Sequence, residues 1–143
     1  MTMVDWDDSY SLDIPEIDEQ HKCLIAIMNE LYTALANKSE PQRIGQVLDK
    51  LIDYMRIHFA VEEALMRILD YEEYPQHKAS HDAIVRQVLA YQAAFRAGDE
   101  QVGSQLLEFL KDWLFTHIQQ VDQRFGASLR QLKAKKSWFK PFC

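Results

Sequence analysis

Residues 41–69 read PQRIGQVLDKLIDYMRIHFAVEEALMRIL. Ile44, Val47, Leu48, Leu51, Met55, His58, Glu62, Leu65, Met66 and Leu69 recur at steps of three and four, the period of one helical face. Pro41 suits a first helical turn, since its missing N–H would have no partner there. Tyr71-Glu72-Glu73-Tyr74 breaks the pattern, and Pro75 restarts the chain. The stretch predicts one long amphipathic helix. Its apolar stripe holds two residues that do not belong to a plain core, His58 and Glu62.

Three neighbouring segments carry the same period. The first is Ile17, His21, Leu24, Ile25, Met28, Leu31, Tyr32 and Leu35, with Asp18 placed to cap its start and Asn37-Lys38-Ser39 near its end. The third is His77, His81, Ile84, Val85, Val88, Tyr91 and Phe95, stopped by Ala97-Gly98. The fourth is Leu106, Phe109, Leu110, Trp113, Leu114, His117, Ile118 and Val121, running towards Phe125-Gly126. With only 4 Gly and 4 Pro in 143 residues, a strand-and-turn chain is excluded. The expectation is an all-α, antiparallel up-down-up-down four-helix bundle over 17–126. Residues 1–16 read as an extended N-terminal arm, and 127–143 as a basic, aromatic tail.

Composition narrows the class. At 48% hydrophobic and 27% charged residues the chain is globular. A net charge of −6 argues against general nucleic-acid binding. No apolar run reaches the roughly 18 residues of a transmembrane helix, and the acidic start does not resemble a signal peptide. Cys23 and Cys143 are too few for a disulfide framework, so the expected compartment is the cytoplasm. Cys23 falls about 200° round the helix from His21 and reads as a packing residue rather than a ligand.

All five histidines, His21, His58, His77, His81 and His117, land on inward stripes. A single histidine there is ordinarily a hydrogen-bonded core residue. Five without partners would carry several desolvation penalties, so they need a common reason. His58/Glu62 and His77/His81 are i,i+4 pairs that share a face. His117 and Asp122 are five apart, about 140° round a regular helix. Either a π-type turn or an early helix end brings them together, or Asp122 is a surface carboxylate.

Height along the bundle tests the idea further. Counted from the end where the second helix leaves and the third begins, the seven groups all fall within roughly 16 Å of that end. Four helices thus send imidazoles and carboxylates into one region of the core. Such a donor set suits a transition metal, and two carboxylates suggest bridges between two metals.

Asp18-Glu19-Gln20-His21-Lys22, His58-Phe59-x-x-Glu62-Glu63, His77-x-x-x-His81 and Trp113-Leu114-x-x-His117-Ile118-x-x-x-Asp122 together resemble the bacterial branch of the hemerythrin family. The resemblance spans about Trp6 to Phe125. It departs at Asp13, where relatives often carry glycine, and in the tail. It implies a non-haem centre of two iron ions sharing an oxo or hydroxo bridge, with dioxygen as ligand. His77, His81 and His117 would bind one iron, His21 and His58 the other, and Glu62 and Asp122 both. Twelve octahedral positions, less five imidazoles, four carboxylate oxygens and a doubly counted bridge, leave one open on the two-histidine iron. The implied activity is reversible dioxygen binding for storage, delivery or sensing, not catalysis.

Oxygen-activating di-iron bundles use about four carboxylates and two histidines, whereas this set is rich in histidine. Leu24, Ile25, Met28, Phe59, Trp113 and Leu114 are the candidates for an apolar oxygen pocket, and each also suits plain core packing. Glu63 is expected in solvent or as acceptor for an imidazole N–H. The rival readings are a di-iron enzyme reducing nitric oxide or peroxide, a structural metal-binding module, and a sensing subunit. A delivery role would make an oxygen-consuming enzyme its partner.

The tail stands apart. Arg130, Lys133, Lys135, Lys136 and Lys140 meet no acid there, leaving 11 bases against all 22 acids on residues 1–129. Interleaved with Trp138, Phe139 and Phe142, they suit an anionic membrane surface or an acidic partner. The nearer expectation is docking onto the chain's own acidic body, with Leu129 and Leu132 continuing a short helix.

Overall fold

A computed structural model describes residues 4–133. Four rods follow one another: α1 (Pro15–Ala36), α2 (Pro41–Ile68), α3 (Tyr74–Arg96) and α4 (Val102–Thr116), the last continuing through a π-helical turn (His117–Asp122) into α5 (Gln123–Lys133). α1 packs on α2 and α4, and α3 on α2 and α4, which closes the ring of an antiparallel four-helix bundle. The core is apolar along most of its length, with Leu31, Leu51, Val88 and Leu106 fully buried. No helix among the described residues is long and apolar enough to cross a membrane.

Connections are short because each helix stops sharply. Lys38 (φ 51°), Asp70 (φ 53°) and Gly98 (φ 101°) take the left-handed conformation just beyond α1, α2 and α3. In each case the next amide reaches back to a carbonyl in the last turn: Ser39 to Ala34, Tyr71 to Met66, Asp99 to Ala94. These are Schellman closures, and they satisfy carbonyls that the helix leaves unpaired.

Prolines set the starts. Pro15 and Pro41 occupy the first turns of α1 and α2, so α1 begins at Pro15, two residues before the apolar stripe does. α4 likewise starts at Val102, ahead of its first stripe residue Leu106, and the fourth rod runs past Gly126 to Lys133.

Asp18 does not cap α1. The cap position is Ile14, without a side-chain bond, and Asp18 sits inside the first turns. Its carboxylate turns back to accept from the Leu12 amide at 2.9 Å and the Ser11 hydroxyl at 2.5 Å. It therefore clasps the arm rather than starting the helix.

The arm is not simply extended either. It holds a 3-10 turn at Asp8–Tyr10 and a left-handed residue, Asp13 (φ 58°). Val4, Leu12 and Ile14 bury their side chains in the bundle. Asn29 pins the Val4 backbone through both its amide and its carbonyl, at 2.9 and 2.7 Å. Tyr10 stacks on Phe115 of α4 with centroids 4.7 Å apart. The expectations for residues 134–143, including tail docking and Cys143, lie outside the described residues.

Candidate metal centre

Each rod delivers ligands by its own periodicity. α1 presents His21, α2 presents His58 and Glu62, and α3 presents His77 and His81, the last two pairs separated by one helical turn. His117 and Asp122 begin and end the π turn. In a regular helix five steps would turn Asp122 well away from His117, and the wider turn returns it to the same side. His117 Nε2 then lies 3.0 Å from Asp122 Oδ1. All seven side chains are at most 3% exposed.

The seven donors form two sets that meet at one residue. Glu62, His77, His81, His117 and Asp122 bring ligand atoms within 4.8 Å of one another, and so do His21, His58 and Glu62. Both carboxylates are divided between the sets. Glu62 points Oε1 at His58, in direct contact, and at His21 (3.9 Å), while Oε2 faces His77 (3.5 Å) and His81 (4.0 Å). Asp122 points Oδ2 at His21 (3.4 Å) and Oδ1 at His77 (3.1 Å) and His117. One oxygen of each faces each set, which is the arrangement of a bridging carboxylate.

Spacing also fits a metal's coordination shell. The Nε2 atoms of His81 and His117 are 3.1 Å apart, as are those of His117 and His77. Two nitrogens at right angles about an ion, each at about 2.1 Å, would be separated by about 3.0 Å. Fully buried, all four carboxylate oxygens of Glu62 and Asp122 and both ring nitrogens of His21 lack a hydrogen-bond partner. Unsatisfied polar atoms in a core are costly. A pair of metal ions satisfies them at once, so the residues fit the implied centre.

Behind the ligands, two imidazoles are held from their far side. His58 Nδ1 lies 2.5 Å from Gln20 Oε1, and His81 Nδ1 lies 2.9 Å from Glu63 Oε2. Oxygen acceptors require the proton on Nδ1, which leaves Nε2 with its lone pair facing the centre. Lys78 reaches Glu63 at 3.4 Å and Asp82 at 3.0 Å. Burial alone raises the Glu63 carboxyl, but the His81 and Lys78 contacts outweigh it and hold it below its usual range. Glu63 thus acts as the imidazole acceptor expected. Gln20 was not singled out by its spacing, because it lies one residue off the stripe of His21.

Without metal, protons hold the site together. Burial is the largest single influence on His21 and His77 and lowers both, yet Asp122 and Glu62 overcome it and push each up to about 9. Burial also works against ionised Glu62 and Asp122, and the surrounding imidazoles win, holding both carboxyls well below their usual range. His81, mainly through burial, is lowered.

The HHE cation binding domain model of the hemerythrin family matches residues 12–129. The chain belongs to the hemerythrin family. It is 38% identical over 125 residues to a bacteriohemerythrin of Pseudomonas aeruginosa, covering 87% of this chain and 80% of that one. To the bacteriohemerythrin of Methylococcus capsulatus it is 40% identical over 114 residues, covering 78% and 85%. A wild-type hemerythrin crystal structure superposes with a TM-score of 0.83 at 34% identity, covering 89% of this chain and 98% of that one. Hemerythrin fold and metal-binding cluster therefore stand together in one chain.

Beside this hemerythrin centre lies an apolar cavity of about 10 Å³. Leu24, Met28, Trp113 and Leu114 line it, joined by Leu51, Met55 and Leu110. Trp113 links it to the site, its ring stacked on that of His117 with centroids 4.5 Å apart. Ile25 and Phe59 do not line it. Ile25 is turned about 100° from Leu24 into the surrounding core, and Phe59 lies flat on His81 with centroids 3.8 Å apart.

Proposed function

We propose that this chain binds dioxygen reversibly at a pair of non-haem irons, with His77, His81 and His117 on one, His21 and His58 on the other, and Glu62 and Asp122 between them. The observation that carries the reading is the division of both buried carboxylates between two imidazole sets. When bound, a reduced iron pair supplies the two electrons that dioxygen takes up on binding and returns on release.

The chain's own residues set the conditions. Five imidazoles and two carboxylates give a donor set poorer in hard anions than that of oxygen-activating bundles, which favours binding over oxidation. Gln20 and Glu63 orient His58 and His81 and keep their Nδ1 protons in place. Leu24, Met28, Leu51, Met55, Leu110, Trp113 and Leu114 turn only apolar surface towards the cavity. A cavity of about 10 Å³ is at the threshold for one water-sized guest, and such apolar cavities stay dry. A small apolar gas is the guest that fits. Dryness also withholds the protons that would convert bound oxygen to hydrogen peroxide. The role follows as storage, delivery or sensing of oxygen in the cytoplasm.

The test is the visible spectrum of the iron-loaded, reduced protein before and after air. A charge-transfer band that vanishes under vacuum and returns with oxygen is expected. Sustained consumption of nitric oxide or peroxide with a reductant, without that reversible band, overturns the reading in favour of an enzyme.

A further inference from the structure

The geometry points to a loading route for the centre: a divalent metal cation reaches His77 through an acidic cleft at the α2–α3 connection, past a gate formed by Glu73 and Arg124. This rests on the metal-centre reading above. The cleft, about 510 Å³, is bordered by Asp70, Glu72 and Glu73. A narrower pocket of about 90 Å³ shares Tyr71, Glu73 and Gln76 with it and ends on His77, with Ser80 and Arg124 also on its walls. His77 is 2% exposed, and its buried Nδ1 has no hydrogen-bond partner, unlike those of His58 and His81. Of the seven ligands it alone lines this pocket.

The route narrows in two stages, from the outer cleft of about 510 Å³ to the inner pocket of about 90 Å³. Glu73, Gln76 and Ser80 line the inner stage, and their side-chain oxygens are the groups that can replace waters of the cation's shell there. Asp70, Glu72 and Glu73 outnumber Arg124 around the path, so the field draws a cation inwards. By contrast, the cavity beside Trp113 has no polar lining at all. Cation and gas therefore approach the centre by different faces.

The gate works by exchange of charge. Arg124 reaches Glu73 Oε1 at 3.1 Å, and the Tyr71 hydroxyl donates to Glu73 Oε2, also at 3.1 Å. The ion pair is mostly exposed, at 61% and 42%, so the pair itself contributes little. An arriving cation takes over the Glu73 carboxylate in place of Arg124.

The experiment measures ferrous iron uptake by the metal-free full chain under anaerobic conditions, and iron loss from the loaded chain to a chelator. Asp70→Asn with Glu72→Gln should slow uptake about tenfold at low salt, with the difference closing at about 1 M salt, where screening acts within about 3 Å. Asparagine tolerates the left-handed backbone of Asp70, so the fold is spared. Arg124→Ala should speed loss, and Ser80→Leu, which fills the pocket, should slow both directions. Iron per chain at equilibrium should match the unaltered protein in every variant. Arg96→Ala breaks a comparable surface pair with Asp49 far from the cleft and serves as control. Unchanged rates in all the cleft variants, or equal acceleration in Arg96→Ala, overturn the route while leaving the centre standing. Failure of the unaltered chain to take up iron overturns both.

Discussion

At the scale of single residues, position in the chain and position in space coincide where a side chain serves two partners. Glu62 faces both imidazole sets, so Glu62→Ala should drop metal content from about two ions per chain towards none. His117→Ala should cost less, because it withdraws one donor from one set. Metal analysis after purification checks both, and a Glu62→Ala protein retaining two ions would remove the bridge. Protons give a second prediction. In the metal-free chain His21 and His77 titrate near 9, above the ordinary 6.5. Their contribution to stability is therefore complete below about 6.5 and lost as pH rises through 9. The melting temperature of the metal-free protein should fall across that window, while the loaded protein, whose imidazoles are already neutral, should hold level. The seven side chains that the fold gathers were legible in the sequence as candidates because a titratable residue on an apolar stripe is conspicuous. Gln20, Leu51, Met55 and Leu110 were not, since an amide off the stripe and ordinary core leucines carry no mark of what lies beside them.

At the scale of elements, helical period predicted four rods, and the ends were decided by chemistry that period does not contain. Asp18 has the residue type of a cap, yet its carboxylate holds Ser11 and Leu12. Only the path of the arm distinguishes the two uses. The π turn was one of several open outcomes for His117 and Asp122, because spacing states the angular mismatch without saying how it is relieved. Asp13 shows the reverse case. Its φ of 58° is the conformation for which glycine has no steric penalty. Asp13→Gly should stabilise the protein by about 1 kcal/mol, raising the melting temperature by roughly 3 °C. A lower melting temperature would mean that Asp13 contributes more through its contacts than its backbone costs.

At the scale of the whole molecule, one dry wall has to do two things at once: hold the bundle together and keep water from the centre. Leu24→Ala or Trp113→Ala should cost roughly 2–5 kcal/mol and also speed oxidation to the ferric form, because both line the cavity. Leu106→Ala, fully buried and not on that wall, should cost a similar amount without the faster oxidation. Equal oxidation rates in all three would assign the cavity to packing alone.

All seven candidate positions gather towards the end of the bundle where α2 gives way to α3, and the contact of His21 with Asp122 at 3.4 Å joins residues near opposite ends of the described chain. Iron bound there as proposed would act as a knot tied at one end of a four-stranded rope. The far end, with its connections at 37–40 and 97–101, is held by apolar packing and by surface pairs such as Arg43 with Glu30 and Arg96 with Asp49. Amide hydrogen exchange in the loaded protein should grow faster from the knotted end towards the free one. Removing the iron should flatten that gradient rather than raise every rate alike, and a uniform rise would show that the bundle opens only as a single unit.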